Sequence, residues 1–373
     1  MSTLAHDPFA DTPPRRRGRE DHFHREEVVL ANRNSGIMLE LLRHDVTPVG
    51  AHYLLIHFDI PPLDDATHAL AFGEGFEAPF TLSMDEIRAL PAETHRVTME
   101  CAGNGRAGHA DRSVSQPWTD CAVGTSEWTG TPLLPLLERA RPRADTVDIV
   151  FTGADRGFDR AVEHDYARSL SPGEIEATRP LVVHAMNGQP LPPQHGAPLR
   201  LLVPGWYGMA SVKWLARIDA IDHAFQGFQQ VGTYRYRRDE DDPGRPVTTI
   251  RVRALMVPPG LPDWLTRRRL VEAGPVTLLG RAWVGGGRSV AKVEVGVDGE
   301  WREAELEAAG PNEWRRWRFD WNAAPGTREL ACRATDSEGE TQPMDPPWDL
   351  GGFGNNTVQR LEVTVRGQGN SPR

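Results

Sequence analysis

Apolar and polar positions alternate along much of this chain in short runs broken by Gly and Pro, the pattern of a strand-rich protein. Residues 53–60, YLLIHFDI, are closed by Pro61 and Pro62 and predict a buried strand. Ser83 stands as an N-cap before MDEIRAL, with Glu86 as its capping-box partner and Pro91 as a stop, so a short helix is expected there. The stretch HRVTMECAGN alternates into a strand that ends in a glycine-rich turn, which leaves Cys101 at the strand end. Thr131 and Pro132 open a helix over PLLPLLERA. Residues 147–152 and 181–185 read as apolar strands, with polar turns and a helix near Ser171 between them.

The character changes after RRDEDDPGRP, residues 237–246, where charge, Gly and Pro replace apolar periodicity and a linker is expected. Beyond it VTLLGRAWV, AKVEVGVDG, WRRWRFDW, RELACRATD and TVQRLEVTV are short alternating segments at the spacing of a β-sandwich. The fold class expected is therefore α+β followed by an all-β, immunoglobulin-like sandwich. The division is a polar tail over residues 1–24, a mixed domain over 25–240 and the sandwich over 247–373. A chain of 373 residues exceeds what one hydrophobic core usually serves.

Composition narrows the function classes. A net charge of −10 argues against a general nucleic-acid binder, which needs clustered basic residues for phosphate. No apolar run reaches the length of a membrane span. Arg15, Arg16 and Arg17 suggest an export signal, but no apolar stretch follows them. Cys101, Cys121 and Cys332 are too few and too dispersed for a disulfide framework. A cytoplasmic protein is expected.

Two segments carry chemistry. In ECAGNGR, residues 100–106, small residues beside Cys101 let a bulky group approach a soft thiolate, although the same cysteine could be a buried structural one. In QHGAPLRLLVPGWYGMASVKWL, residues 194–215, His195, Arg200 and Lys213 bracket a strand and a glycine-rich loop, a set suited to a phosphate-bearing heterocyclic cofactor. Other features read as ordinary structure. His22 and His24 lie in the polar tail, Cys121 is not expected to pair with Cys101, Gly285–Gly287 read as a hairpin turn, and Trp314, Trp317 and Trp321 as core or interface.

Together CAGNGR, MNGQPLPPQHGAPLR and VPGWYGMASVKWL resemble, in collinear order, the molybdopterin domain of the sulfite oxidase family. WTDCAVGTSEWTG resembles the segment after the family's ligand cysteine, and GRAWVGGGRSVAKVEVGVDGEW and PWDLGGFGNNTVQRLEV resemble its C-terminal dimerisation domain. The resemblance implies a molybdenum–molybdopterin oxidoreductase. Cys101 matches the metal ligand. His57, Asp155, His195, Arg200, Ser211 and Lys213 match positions that hold molybdopterin. Arg106 and Trp118 match the substrate pocket and Tyr234 its active-site tyrosine, with Tyr236 as the competing choice. The family's arginine-asparagine-histidine reads Leu55, Ile56, His57 here, and its tryptophan-asparagine-x-arginine-glycine reads Trp348, Asp349, Leu350, Gly351, Gly352. Two pocket arginines are thus absent. The small sulfur-containing substrate expected is sulfite or a related small sulfur oxyanion, oxidised by oxygen-atom transfer by a homodimer that passes electrons to a separate acceptor, since no haem-binding module is visible. The alternatives are the same cofactor acting on a sulfoxide or organic sulfur compound, or a non-catalytic dimeric scaffold.

Overall fold

The structure, a computed structural model, describes residues 25–109, 113–345 and 348–367. The tail over residues 1–24, with His22 and His24, lies outside them. Two sheets build the first unit. One carries, in spatial order, Phe80–Ser83, Ala69–Phe72, Leu215–Ile221, Asp148–Asp159 and Val162–Leu170. The other runs Glu93–Glu100, Val123–Pro132, Leu181–Met186 and Gln189–Pro190, with Arg200–Leu202 also paired to Leu181–Met186. The short helices form where their caps stand. Ser83 accepts from the Glu86 N–H and Glu86 reaches back to Ser83 before Met84–Ala89, and Ser171 with Glu174 repeats the device before Pro172–Thr178. Helix Leu133–Ala140 buries Leu133, Leu136, Leu137 and Ala140, one face at helical spacing.

The second unit is a two-sheet sandwich. Arg253–Met256, Gly274–Trp283, Arg315–Ala323 and Glu305–Leu306 form one sheet. Leu261–Pro262, Arg269–Glu272, Gln359–Arg366, Gly326–Asp336, Val290–Val297 and Glu300–Glu303 form the other. Trp317, Phe319 and Trp321 alternate inward along one strand while Arg318 and Asp320 face out, so a period of two buries a wide apolar face. The core of the first unit continues into the second: Ile37, Tyr53, Met99 and Trp118 share one cluster with Val247, Ile250, Leu255, Trp283 and Trp314. The interface is therefore core-like. No helix among the described residues is long and apolar enough to cross a membrane.

Three expectations are corrected. Residues 53–60 form no strand. Leu54 makes one isolated bridge to Ser35, and the rest of the segment spends its backbone on side chains, with Ile56 N–H donating to Asn34 Oδ1 and Leu55 C=O accepting from Lys213 Nζ. Residues 237–246 are no free linker, because Arg235–Tyr236 pairs with Arg245–Pro246 in a hairpin. Gly285–Gly287 join no hairpin, since the strands on either side, Gly274–Trp283 and Val290–Val297, belong to different sheets. A Cβ on Gly285 would lie 1.9 Å from the Gly205 carbonyl, so this glycine lets the crossover loop approach the first unit. Of the tryptophans, Trp317 and Trp321 fill the sandwich and Trp314 packs toward the first unit, its indole N–H donating to the Asp45 carbonyl.

Candidate active site

Cys101 ends the strand Glu93–Glu100, held by its N–H on the Ala122 carbonyl at 2.9 Å. The chain then reverses: Asn104 N–H donates back to Cys101 C=O, Gly105 takes φ +84°, and Arg106 begins a short 3₁₀ turn. A Cβ on Gly103 would sit 2.6 Å from the Arg106 guanidinium, so glycine there lets that guanidinium lie against the loop. Glu100, fully buried, braces the turn from behind. It accepts from Asn104 Nδ2 and Trp283 Nε1, both at 2.8 Å, and pairs with Arg253 of the second unit at 3.2 Å.

Beside Cys101 opens a cleft of about 620 Å³ of empty space, part of it shared with solvent. His57, Cys101, Asp155, His195, Arg200, Ser211, Lys213 and Tyr234 all line it, which brings together eight of the ten residues singled out from the sequence. Arg106 and Trp118 stand behind its wall. Arg106 Nε donates to the Gly351 carbonyl at 2.6 Å, and its Nη1 to Ser115 Oγ and the Gln116 carbonyl. Trp118 is buried and its indole N–H has no hydrogen bond of normal geometry, yet it lies near enough to Cys101 to favour the thiolate. Tyr234 follows a turn of π-helix, Phe228–Thr233, and its hydroxyl is 2.7 Å from His57 Nε2. Tyr236 faces away, toward Arg251, so the structure puts Tyr234 and not Tyr236 on the cleft. Sequence reasoning missed His52, Tyr53, Met99 and Tyr166, which also line it. The nearest signal for the first two is that Tyr53 opens the same apolar run as His57 and His52 directly precedes it.

Charge in this cleft is poorly matched by the protein itself. Burial, aided by neighbouring cations, pulls His57 down to about 3 and His195 to about 2, so both rings are neutral. Burial also lowers Lys213 to about 7 and Arg200 to about 10, and raises Asp155 to about 7. Arg200 donates to the His195 and Ser211 carbonyls, and Lys213 to the Leu55 and Gln194 carbonyls; neither has a carboxylate within ion-pair distance among the described residues. Asp155 Oδ1 is buried without a partner. Two desolvated cations, an orphaned carboxyl oxygen and a buried thiol fit an anionic, hydrogen-bonding cofactor that carries a soft metal. No three His, Cys, Asp or Glu among the described residues form a metal-ligand cluster, so a metal on Cys101 would take its other ligands from the cofactor.

The cost of keeping Lys213 here is measurable. Its folded value lies below its ordinary 10.5, so the penalty is full below pH 7 and fades as pH rises to about 10.5. Lys213→Met is expected to stabilise the cofactor-free protein at pH 7 by about 1 to 4 kcal/mol, and to abolish cofactor retention. Melting curves at pH 7 and pH 10 check it; an equal or larger gain at pH 10 would contradict the assignment.

Fold and cleft define a molybdopterin-dependent oxidoreductase. Residues 57–229 match the model of the oxidoreductase molybdopterin binding domain, and residues 247–366 that of the Mo-co oxidoreductase dimerisation domain. The chain belongs to the sulfite oxidase family. It is 30% identical to mitochondrial sulfite oxidase of Mus musculus, over 98% of this chain and 69% of that protein. It is 31% identical to that of Homo sapiens, over 96% and 68%. NADH nitrate reductase of Ulva prolifera is 28% identical over 85% of this chain and 40% of its own length. The sulfane dehydrogenase SoxCD from Paracoccus pantotrophus shares the fold, with a TM-score of 0.75 at 23% identity over 88% of this chain and 85% of that one.

Proposed function

We propose that this protein oxidises sulfite or a related small sulfur oxyanion, passing the electrons to a separate acceptor, and works as a cytoplasmic homodimer. The observation that carries this reading is the cleft that joins a buried thiol to two cations without carboxylate partners. When bound, the molybdenum cofactor supplies two-electron oxygen-atom transfer chemistry. Cys101 would hold the metal, while Arg200, Lys213, His195 and Ser211 would hold the anionic and polar edges of molybdopterin. Burial keeps the Tyr234 hydroxyl protonated and His57 neutral, so the two share one hydrogen bond between the hydroxyl and His57 Nε2 at the cleft wall. The supporting relatives include sulfite oxidases and a sulfane dehydrogenase. All three cysteines are free thiols, which suits the cytoplasm. The test is sulfite-dependent reduction of an artificial acceptor by protein carrying about one molybdenum per chain. Metal-loaded protein inert toward sulfite would overturn the substrate assignment. Leu55 in the cleft wall favours a second reading, in which an uncharged sulfoxide or organic sulfur compound is the substrate, and the same assay with such compounds decides it.

Sulfite kinetics should betray the two missing arginines. Of the three pocket arginines that the family resemblance implies, only Arg106 is retained, and it stands behind the cleft wall, so the Michaelis constant is expected to be high for the family and to rise with salt. Arg106→Gln should lower kcat/KM by about 10- to 100-fold, about 1.4 to 2.8 kcal/mol. Because Arg106 also ties the loop to Gly351, that variant should melt earlier as well. Tight, salt-insensitive sulfite kinetics would show that other groups replace the missing charge.

The dimer surface is also open to test. With Trp314, Trp317 and Trp321 absorbed into the cores, the most exposed apolar residues of the second unit are Leu261, Trp264 and Leu265, the last two 82% and 84% exposed. Sedimentation should give a dimer at micromolar concentration, and Trp264→Ser with Leu265→Ser should shift it to monomer. A monomeric parent protein would refute the assembly.

A further inference from the structure

A second cleft, with about 840 Å³ of empty space in part shared with solvent, has Phe353 in its wall. Phe353 lines it and packs its ring 5.2 Å from that of Tyr234, which lines the cofactor cleft, so this aromatic pair is the partition between the two. Four arginines, Arg237, Arg238, Arg245 and Arg251, stand around it against two carboxylates. Both carboxylates are already engaged. Asp242 takes Arg238 at 2.9 Å, and Asp349 accepts the Arg237 and Phe353 backbone N–H groups at 2.7 and 2.8 Å.

The remaining three guanidinium groups have no carboxylate within ion-pair distance among the described residues. Arg251 donates to the Gly354 carbonyl and lies over the Tyr236 ring, Arg237 donates to the Val231 carbonyl, and the Arg237 Nε is buried without a partner. Arg245 is exposed at the rim. In a chain of net charge −10, three cations gathered in one concavity without matching carboxylates mark a place where charge from outside completes the structure. Arginine forks suit oxygen anions, which they can bind through paired N–H groups.

We propose that this cleft binds small divalent oxyanions, of the size of sulfate or thiosulfate, as an antechamber to the cofactor cleft. Binding itself needs nothing from the catalytic reading; the supply of substrate past Phe353 rests on it. Such a site would offset the charge lost at Leu55 and Gly351 by raising the local concentration of oxyanion at the partition.

Isothermal titration of the full-length protein with sulfate, and anomalous scattering from crystals soaked in selenate, read binding without any turnover. The expected result is a selenate peak among Arg237, Arg245 and Arg251, and sulfate affinity weakened about 3- to 10-fold in Arg245→Gln and further in Arg251→Gln. Arg245 is at the surface, so its variant stays folded and keeps the test decisive if Arg251→Gln does not fold. Sulfate affinity unchanged in Arg245→Gln, or selenate absent from the cleft, overturns the proposal. In active holoenzyme Arg245→Gln should raise the sulfite KM and leave kcat unchanged; an unchanged KM overturns the antechamber role. Oxyanion binding here by a protein inert toward sulfite would leave the site standing and defeat the catalytic reading instead.

Discussion

Cys101→Ser is expected to lower oxidoreductase turnover by more than about a thousandfold, a loss of about 4 kcal/mol or more in transition-state stabilisation. The thiol is buried at the strand end, in the wall of the cleft. Burial pushes its pKa up and Arg106 pulls it back, so the thiolate is costly until something binds it. A bound soft metal meets that cost, whereas a serine hydroxyl is a poor ligand for such a metal. The fold should survive, because serine differs little in volume, with a penalty of about 1 kcal/mol for a buried hydroxyl. Metal content, turnover and melting temperature measured on one preparation separate these effects. Cys332, in the sandwich core, and Cys121, beside Gly36, do not line the cleft. Their serine variants should keep turnover. A Cys101→Ser protein that works at the parental rate would remove this residue from the site.

Arg253→Met should destabilise the protein by about 3 to 5 kcal/mol, a large part of the stability of an ordinary domain. Arg253 is almost wholly buried, pairs with Glu100 and Asp120, and donates to the Asn104 and Asn355 carbonyls. Its removal leaves the Glu100 carboxylate without its cation in the interior, directly before Cys101. Adding Glu100→Gln should recover part of the loss, since the uncompensated charge goes with it. Activity should fall in both variants, because the pair joins the second unit to the loop that carries Cys101. Denaturant unfolding of the two variants and the parent is the check. A midpoint unchanged in Arg253→Met would show that water reaches Glu100 and that the pair is not sealed.

Much of this architecture was written locally. The capping box at Ser83 named one helix start, a second helix was placed near Ser171, and period-two alternation named the sandwich strands, because these signals depend on neighbours within a few residues. The cysteine at a strand end and the His195, Arg200, Lys213 set were equally legible, since their motifs are contiguous. One signal was present and unread: Arg253 is a charged residue opening an otherwise apolar strand, RALM, where burial requires a partner.

What only the tertiary structure decided is how separate segments share space. Residues 53–60 look like a strand from their apolar character, but their backbone groups meet Asn34 and Lys213 instead of a ladder. Tyr234 and Tyr236 stand two apart in one short run, and only the π-turn before them and the packing of Phe353 put the first on the cleft. Arg106 belongs to the cysteine motif, yet its guanidinium turns toward Gly351, a residue 245 positions away. The sequence by itself determined most of the elements, the change in character between the two units and the chemical groups of the site, because these follow from local periodicity and side-chain type. Which groups face one cleft, and which brace it from behind, depended on contacts between residues far apart in the chain, and no local pattern encodes those.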